Sequence, residues 1–251
     1  METTQHRFIL VGAGGIGTWL AAGLVRLLEW KFPGSGLIIV DGDTFEERNK
    51  ERQDFKQIGN KASVKALELS EQFHQTTIIP VPKWIVGENF EGVADETSPK
   101  IKASDLLTDG DVVFAVVDNF AARKILFDAA QNIDNIDVFT GGNDDALFGS
   151  IYHYQRRNGQ DITEHPVSTH PEYQNPPDKN PGELSCQERS KIEGGTQLLA
   201  TNMAVASFLL GRVQKIIVDG MDPTEAEIYF DLGVGKAEPY DRSAVPAYSN
   251  V

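Results

Sequence analysis

The stretch RFILVGAGGIGTWLAAGLVRLLEW (Arg7–Trp30) joins a β-rich run, a glycine cluster and an apolar-spaced helix without interruption. The run ends in glycine, and IGTWLAAGLVRLLEW has helical length with apolar residues recurring every three to four positions. GLIIVD (Gly36–Asp41) follows as a second buried strand. Strand, glycine turn, helix and strand form a βαβ unit, so a parallel sheet with a right-handed crossover is expected.

Further along, NKASVKALELSEQFHQ reads as a helix and TTIIPVP as a strand closed off by Pro80 and Pro82. DVVFAVVD (Asp111–Asp118) is the most hydrophobic strand candidate, and its composition suits a central position. The helix NFAARKILFDAAQ and the strand DVFTGG come next. The pattern then changes: ALFGSIYHYQRR (Ala146–Arg157) alternates over a length that suits an antiparallel strand. Residues 158–195 are polar and proline-rich, a stretch that reads as one long loop. A long apolar helix after Gly195 and the strand AEIYFDLG complete the pattern. No internal repeat interrupts it, so a single α/β domain over residues 1–251 with an inserted loop is the economical organisation.

Composition narrows the function. A net charge of −14 argues against nucleic acid and against an anionic membrane surface, both of which need cations. It also favours a partner with a basic face. No apolar run approaches the ~20 residues of a membrane span, and METTQHRFILVG lacks the layout of a secretory leader, so a cytoplasmic protein is expected. The only cysteine, Cys186, excludes an internal disulfide and a structural zinc held by four cysteines of one chain.

Gly12, Gly14, Gly15 and Gly17 form G-x-G-G-x-G at a strand-to-helix turn. Such a turn brings backbone N–H groups and the positive end of a helix up to a phosphate. Asp41, ending the second strand, suits a ribose hydroxyl. These features indicate a nucleotide without saying which. The charged stretch DGDTFEERNKERQ (Asp41–Gln53) discriminates, because a dinucleotide enzyme needs one carboxylate there and nothing more. Here Asp43, Asn49, Arg52 and Gln53 follow, then Lys61. Arg52 and Lys61 stand where a triphosphate would extend, placed to neutralise charge on the α-phosphate and the leaving pyrophosphate. Asp118, ending the central strand, is a natural Mg2+ ligand beside polyphosphate. Asn119 opens the next helix as a cap, and Arg123 is placed to brace Asp118.

Taken together, GAGGIG, VDGDTFEERNKERQ, GNK and VVDNFAAR resemble the adenylation domain of the ubiquitin-activating-enzyme superfamily, which includes the ThiF/MoeB-type adenylyltransferases. The resemblance implies a Rossmann-like α/β fold: a mixed sheet, parallel in the nucleotide-binding half and antiparallel in the second, with helices on both faces. It implies a homodimer that uses MgATP to adenylate the carboxyl-terminal glycine of a ubiquitin-like protein. Asp41 would hold the ribose, with Asp43, Asn119 and the four glycines also lining the nucleotide. Arg52 and Lys61 would contact phosphates, with Asn49 and Gln53 nearby, and Asp118 would serve Mg2+. Two departures stand out. The lysine element is usually G-x-x-K and here reads GNKASVK, which makes Lys65 a rival to Lys61. The family's amino-terminal helix with its arginine finger has no counterpart before Arg7.

In relatives that go beyond adenylation, a cysteine of the crossover loop attacks the acyl-adenylate. Cys186 occupies the matching place, with Arg189 and Lys191 near enough in sequence to lower its pKa. His165 and His170 read as ordinary loop residues. Adenylation of a peptide or other small carboxylate, and a non-catalytic nucleotide-binding subunit, are the competing readings.

Overall fold

The computed structural model describes residues 6–91, 99–143, 147–184, 198–221, 223 and 226–239. The expected βαβ unit is β1 (Arg7–Val11), α1 (Gly15–Lys31) and β2 (Gly36–Val40), with β1 and β2 parallel and in register from Arg7 opposite Gly36 to Val11 opposite Val40. A two-stranded ribbon, β3 (Thr44–Phe45) with β4 (Gly59–Asn60), precedes α2 (Lys61–Gln72). β5 (Thr77–Val81) pairs with β2, and β6 (Trp84–Val86) pairs with β7 (Lys100–Lys102) in a separate ribbon. α3 (Ala103–Leu106), β8 (Asp111–Ala115), α4 (Phe120–Ala130) and β9 (Ile136–Gly142) complete the parallel half.

The second half is antiparallel. β10 (Phe148–Arg157) turns back along β9 and also pairs with β11 (Gln160–Asp161). Two short helices, α5 (Pro166–Thr169) and α6 (Pro171–Gln174), precede α7 (Leu199–Val213); β12 (Glu227–Asp231) and β13 (Lys236–Pro239) finish the sheet. The main sheet runs β13-β12-β10-β9-β8-β1-β2-β5, with β11 alongside β10: nine strands among the described residues.

The period of two along the strands divides the core into two layers. On β1, Phe8 and Leu10 pack with α1, α2 and α7, whereas Ile9 and Val11 pack with α3 and α4. β8 splits the same way, with Val112 and Phe114 on the first face and Val113 and Ala115 on the second. Burial on both faces explains why these strands read as unbroken apolar runs.

Two details differ from the sequence reading. Pro80 lies inside β5 rather than ending it, which is tolerated because β5 is the sheet edge and needs no donor on its outer side. The described part of the proline-rich segment is folded: Pro166 and Pro171 occupy first-turn positions of α5 and α6, where proline's missing N–H is harmless. His165 caps α5 and its ring meets the Phe127 carbonyl oxygen, while His170 lies between Glu172 and Glu227.

Candidate functional site

The site lies at the carboxyl ends of β1, β2 and β8. Gly12 adopts φ +98°, and a Cβ there would fall 2.9 Å from the Val116 carbonyl. A Cβ on Gly17 would fall 2.0 Å from the Gly12 carbonyl oxygen, so only glycine lets α1 start this close to β1. Gly14 and Gly15 lie between them, Gly14 at the start of α1 with no side-chain cap.

Asp41 organises the turn. Its two carboxylate oxygens accept from the backbone N–H of Ala13 at 2.6 Å and of Asp43 at 2.8 Å, tying the end of β2 to the glycine turn. Burial pushes its pKa up, against the Lys61 ammonium and these two N–H groups. Asn60 completes the frame: its amide donates to the carbonyls of Asp41 and Asp43, and its oxygen caps α2 through Ser63 N–H. Lys61 is therefore the first residue of α2, with its ammonium 2.6 Å from Asp43. Burial lowers the Lys61 pKa, but Asp41, Asp43 and Asp118 outweigh it and the net direction is up. Its rival Lys65 points elsewhere: it is 2% exposed and bound to Glu68 at 2.8 Å and Asp54 at 3.3 Å.

The charged stretch forms a 3-10 turn over Glu47–Glu51. Asn49 holds it, accepting from Glu46 N–H through its side chain and from the N–H groups of Arg52 and Gln53 through its carbonyl. Trp19 of α1 donates to the Arg52 carbonyl, which seats the turn against the glycine loop. The Gln53 amide lies 4.0 Å from the position a Gly14 Cβ would take. Arg52 Nε and Gln53 Oε1 are both buried and have no hydrogen-bond partner among the described residues. Orphaned buried polar atoms beside a glycine turn suit a ligand.

Asp118 is exposed just beyond β8. Asn119 caps α4 through Ala122 N–H, as its position suggested. Arg123 does not brace Asp118: its guanidinium donates to the carbonyls of Val117 and Gly141, because those lie within reach of a side chain one turn into the helix. Asp178 supplies a contact that the sequence did not reveal. Its carboxylate accepts from Phe120 N–H and Ala121 N–H, both at 2.9 Å, fastening the segment before Cys186 to the start of α4. Cys186, Arg189 and Lys191 lie outside the described residues.

The comparisons with known proteins concern the family and the fold. The ThiF family model matches residues 2–208, and the chain belongs to the ThiF family, a family of adenylyltransferases. No curated protein matches it in sequence. Among solved structures, it is similar to Escherichia coli MccB with AMPCPP and MccA at TM-score 0.64 and 16% identity, covering 98% of this chain and 66% of that one. MccB with MccA-N7isoASN gives 0.62 and 16%, covering 95% and 65%, and PaaA gives 0.63 and 17%, covering 95% and 73%. The chain thus spans just under two thirds of these MccB chains, and at such identities the likeness is one of fold. No helix among the described residues is long and apolar enough to cross a membrane.

Proposed function

We propose that this protein uses MgATP to adenylate the carboxyl terminus of a polypeptide, releasing pyrophosphate. The observation that carries this reading is Arg52 Nε, a buried donor without a partner among the described residues. It lies on the same turn as Gln53, whose amide nitrogen is 4.0 Å from the place of a Gly14 Cβ, with Lys61 held in the field of Asp41, Asp43 and Asp118. A nicotinamide enzyme would have no use for that arrangement.

In this reading Asp41 holds the ribose hydroxyls with the lone pairs that Ala13 and Asp43 leave open. The N–H groups of the glycine turn and the start of α1 face the phosphates. Arg52 and Lys61 neutralise the α-phosphate and the departing pyrophosphate, with Asn49 fixing the turn and Gln53 donating nearby. A substrate carboxylate oxygen attacks the α-phosphorus, the bond to the bridging oxygen breaks, and the electron pair leaves with pyrophosphate. Asp118, an exposed carboxylate in the field of Lys61, would hold Mg2+, a hard ion that would supply positive charge against the phosphates. Where a thioester follows, the Cys186 thiolate attacks the acyl carbon and AMP leaves.

The finer substrate in this reading is a ubiquitin-like protein ending in glycine, activated by a cytoplasmic homodimer. The alternative, a peptide carboxylate, draws support from the MccB structures, which carry MccA rather than a ubiquitin-like protein. ATP–pyrophosphate exchange with each substrate class separates them. Asp118→Ala should abolish exchange without unfolding the chain, and exchange that survives would remove Asp118 from the reaction.

A further inference from the structure

Two segments distant in sequence converge on one side chain, Trp84. Gly42 stands between Asp41 and Asp43, and a Cβ built on it would lie 2.4, 2.4 and 2.5 Å from the Cγ, Cδ1 and Cδ2 atoms of the Trp84 ring. Near-equal distances to three ring atoms mean that the indole lays its face on the bare backbone of the nucleotide turn. Trp84 also meets the segment leading to Cys186: a Cβ on Gly182 would fall 3.0 Å from Trp84 Cβ and 2.4 Å from the Ile85 carbonyl oxygen.

That segment is seated by specific bonds. Asn180, 3% exposed, donates to the Ile85 carbonyl at 2.8 Å and accepts from Gly182 N–H at 3.1 Å. Glu183 accepts from Gly87 N–H at 3.2 Å, and Asp178 holds the start of α4. Residues 178–183 therefore form a strap fastened to β6 and to the helix that follows Asp118. Trp84, on the strand to which the strap is fastened, makes direct contact with the turn that carries Asp41 and Asp43. A close-packed interior transmits small displacements rather than absorbing them.

We infer that Trp84 is a positioning residue that locks the strap to the nucleotide turn, coupling nucleotide binding to closure of the strap. The inference rests on the adenylation reading for the identity of the nucleotide, but the lock itself can be tested without one. Lys179 is exposed and is the only lysine or arginine between Arg157 and Arg189, so trypsin reports strap seating through a single cut.

In the full-length protein without nucleotide, Gly42→Ala should speed the cut after Lys179 about tenfold, because cleavage tracks the population of the opened segment. Trp84→Ala should do the same. Gly149→Ala is the control for general destabilisation, since its methyl would fall 2.4 Å from the Phe230 ring in the antiparallel half. It should leave the cut unchanged. AMPCPP should slow the cut in wild type and fail to do so in Trp84→Ala. Should Trp84→Ala not fold, Gly182→Ala, remote from the nucleotide, should weaken AMPCPP binding several-fold instead. If AMPCPP binds but protects Lys179 equally in wild type and Trp84→Ala, or Gly42→Ala cuts no faster than Gly149→Ala, the lock is wrong and adenylation stands. If wild type does not bind AMPCPP, the adenylation reading fails. The contrast between Gly42→Ala and Gly149→Ala then decides the lock by itself.

Discussion

Replacing Lys61 and, separately, Lys65 by methionine should divide nucleotide binding from stability. Lys61, 11% exposed, is paired at 2.6 Å with Asp43, whose side chain is 49% exposed, so removing the lysine leaves that carboxylate in contact with water. Loss of the pair should cost only about 1 kcal/mol of folding stability. In the bound state the same ammonium would make a charge-assisted contact with phosphate, worth about 1.5–3 kcal/mol. Losing that contact weakens AMPCPP binding by roughly 10- to 100-fold. Lys65 presents the opposite balance. It and Glu68 are 2% and 10% exposed, and removing the lysine strands a buried carboxylate. The expected loss is about 3 kcal/mol of stability, or roughly 10 °C in Tm, with AMPCPP affinity near wild type. Titration calorimetry with AMPCPP and thermal unfolding, run on both variants, give the four numbers. Affinity that survives Lys61→Met and collapses in Lys65→Met would refute this assignment of the phosphate lysine.

Other outcomes follow from different parts of the molecule. His153 is fully buried against Asp137 and stacked on Phe139. Burial lowers its pKa, and burial also lowers those of His165 and His6. A histidine depressed below its unfolded value of 6.5 contributes stability that is complete above that pH and is lost as pH falls beneath it. Urea midpoints should therefore drop between about pH 7.5 and about pH 5.5, less steeply in His153→Gln. Equal slopes in the two proteins would exclude His153 as a source. Cys186→Ser should keep pyrophosphate exchange and lose any reductant-sensitive adduct with the substrate; retention of the adduct would place the acyl group elsewhere. Leu198, Leu199 and Met203 leave apolar surface at the start of α7 while its other face packs on α1, and we expect a homodimer there. Ultracentrifugation at micromolar concentration giving one chain's mass would contradict it.

The parallel half of the fold is legible because its signals are local. Strands buried on both faces are unbroken apolar runs, and Gly12 and Gly17 occupy places that admit no side chain. The ThiF-type motifs are local too, since Asp41, Arg52 and Lys61 lie on one short connection. What the sequence leaves open depends on contacts across the chain. The choice between Lys61 and Lys65 turns on Asn60, whose amide spans two carbonyls of the preceding turn and fixes where α2 begins. Its place just before the helix was the available signal. Asp178, Asn180 and Trp84 had none, because each acts on a partner far away in sequence and none falls in a periodic pattern. The segment after Asn158 resembled a bare loop because prolines mask its short helices.

The central claim is that a free carboxylate is activated at the α-phosphate of ATP. It is tested most directly by Mg2+-dependent exchange of labelled pyrophosphate into ATP, with one candidate polypeptide presented as its free acid and as its carboxyl-terminal amide. Exchange with the acid and none with the amide is the predicted result. Exchange that is indifferent to the amide, or that requires no polypeptide, would contradict it.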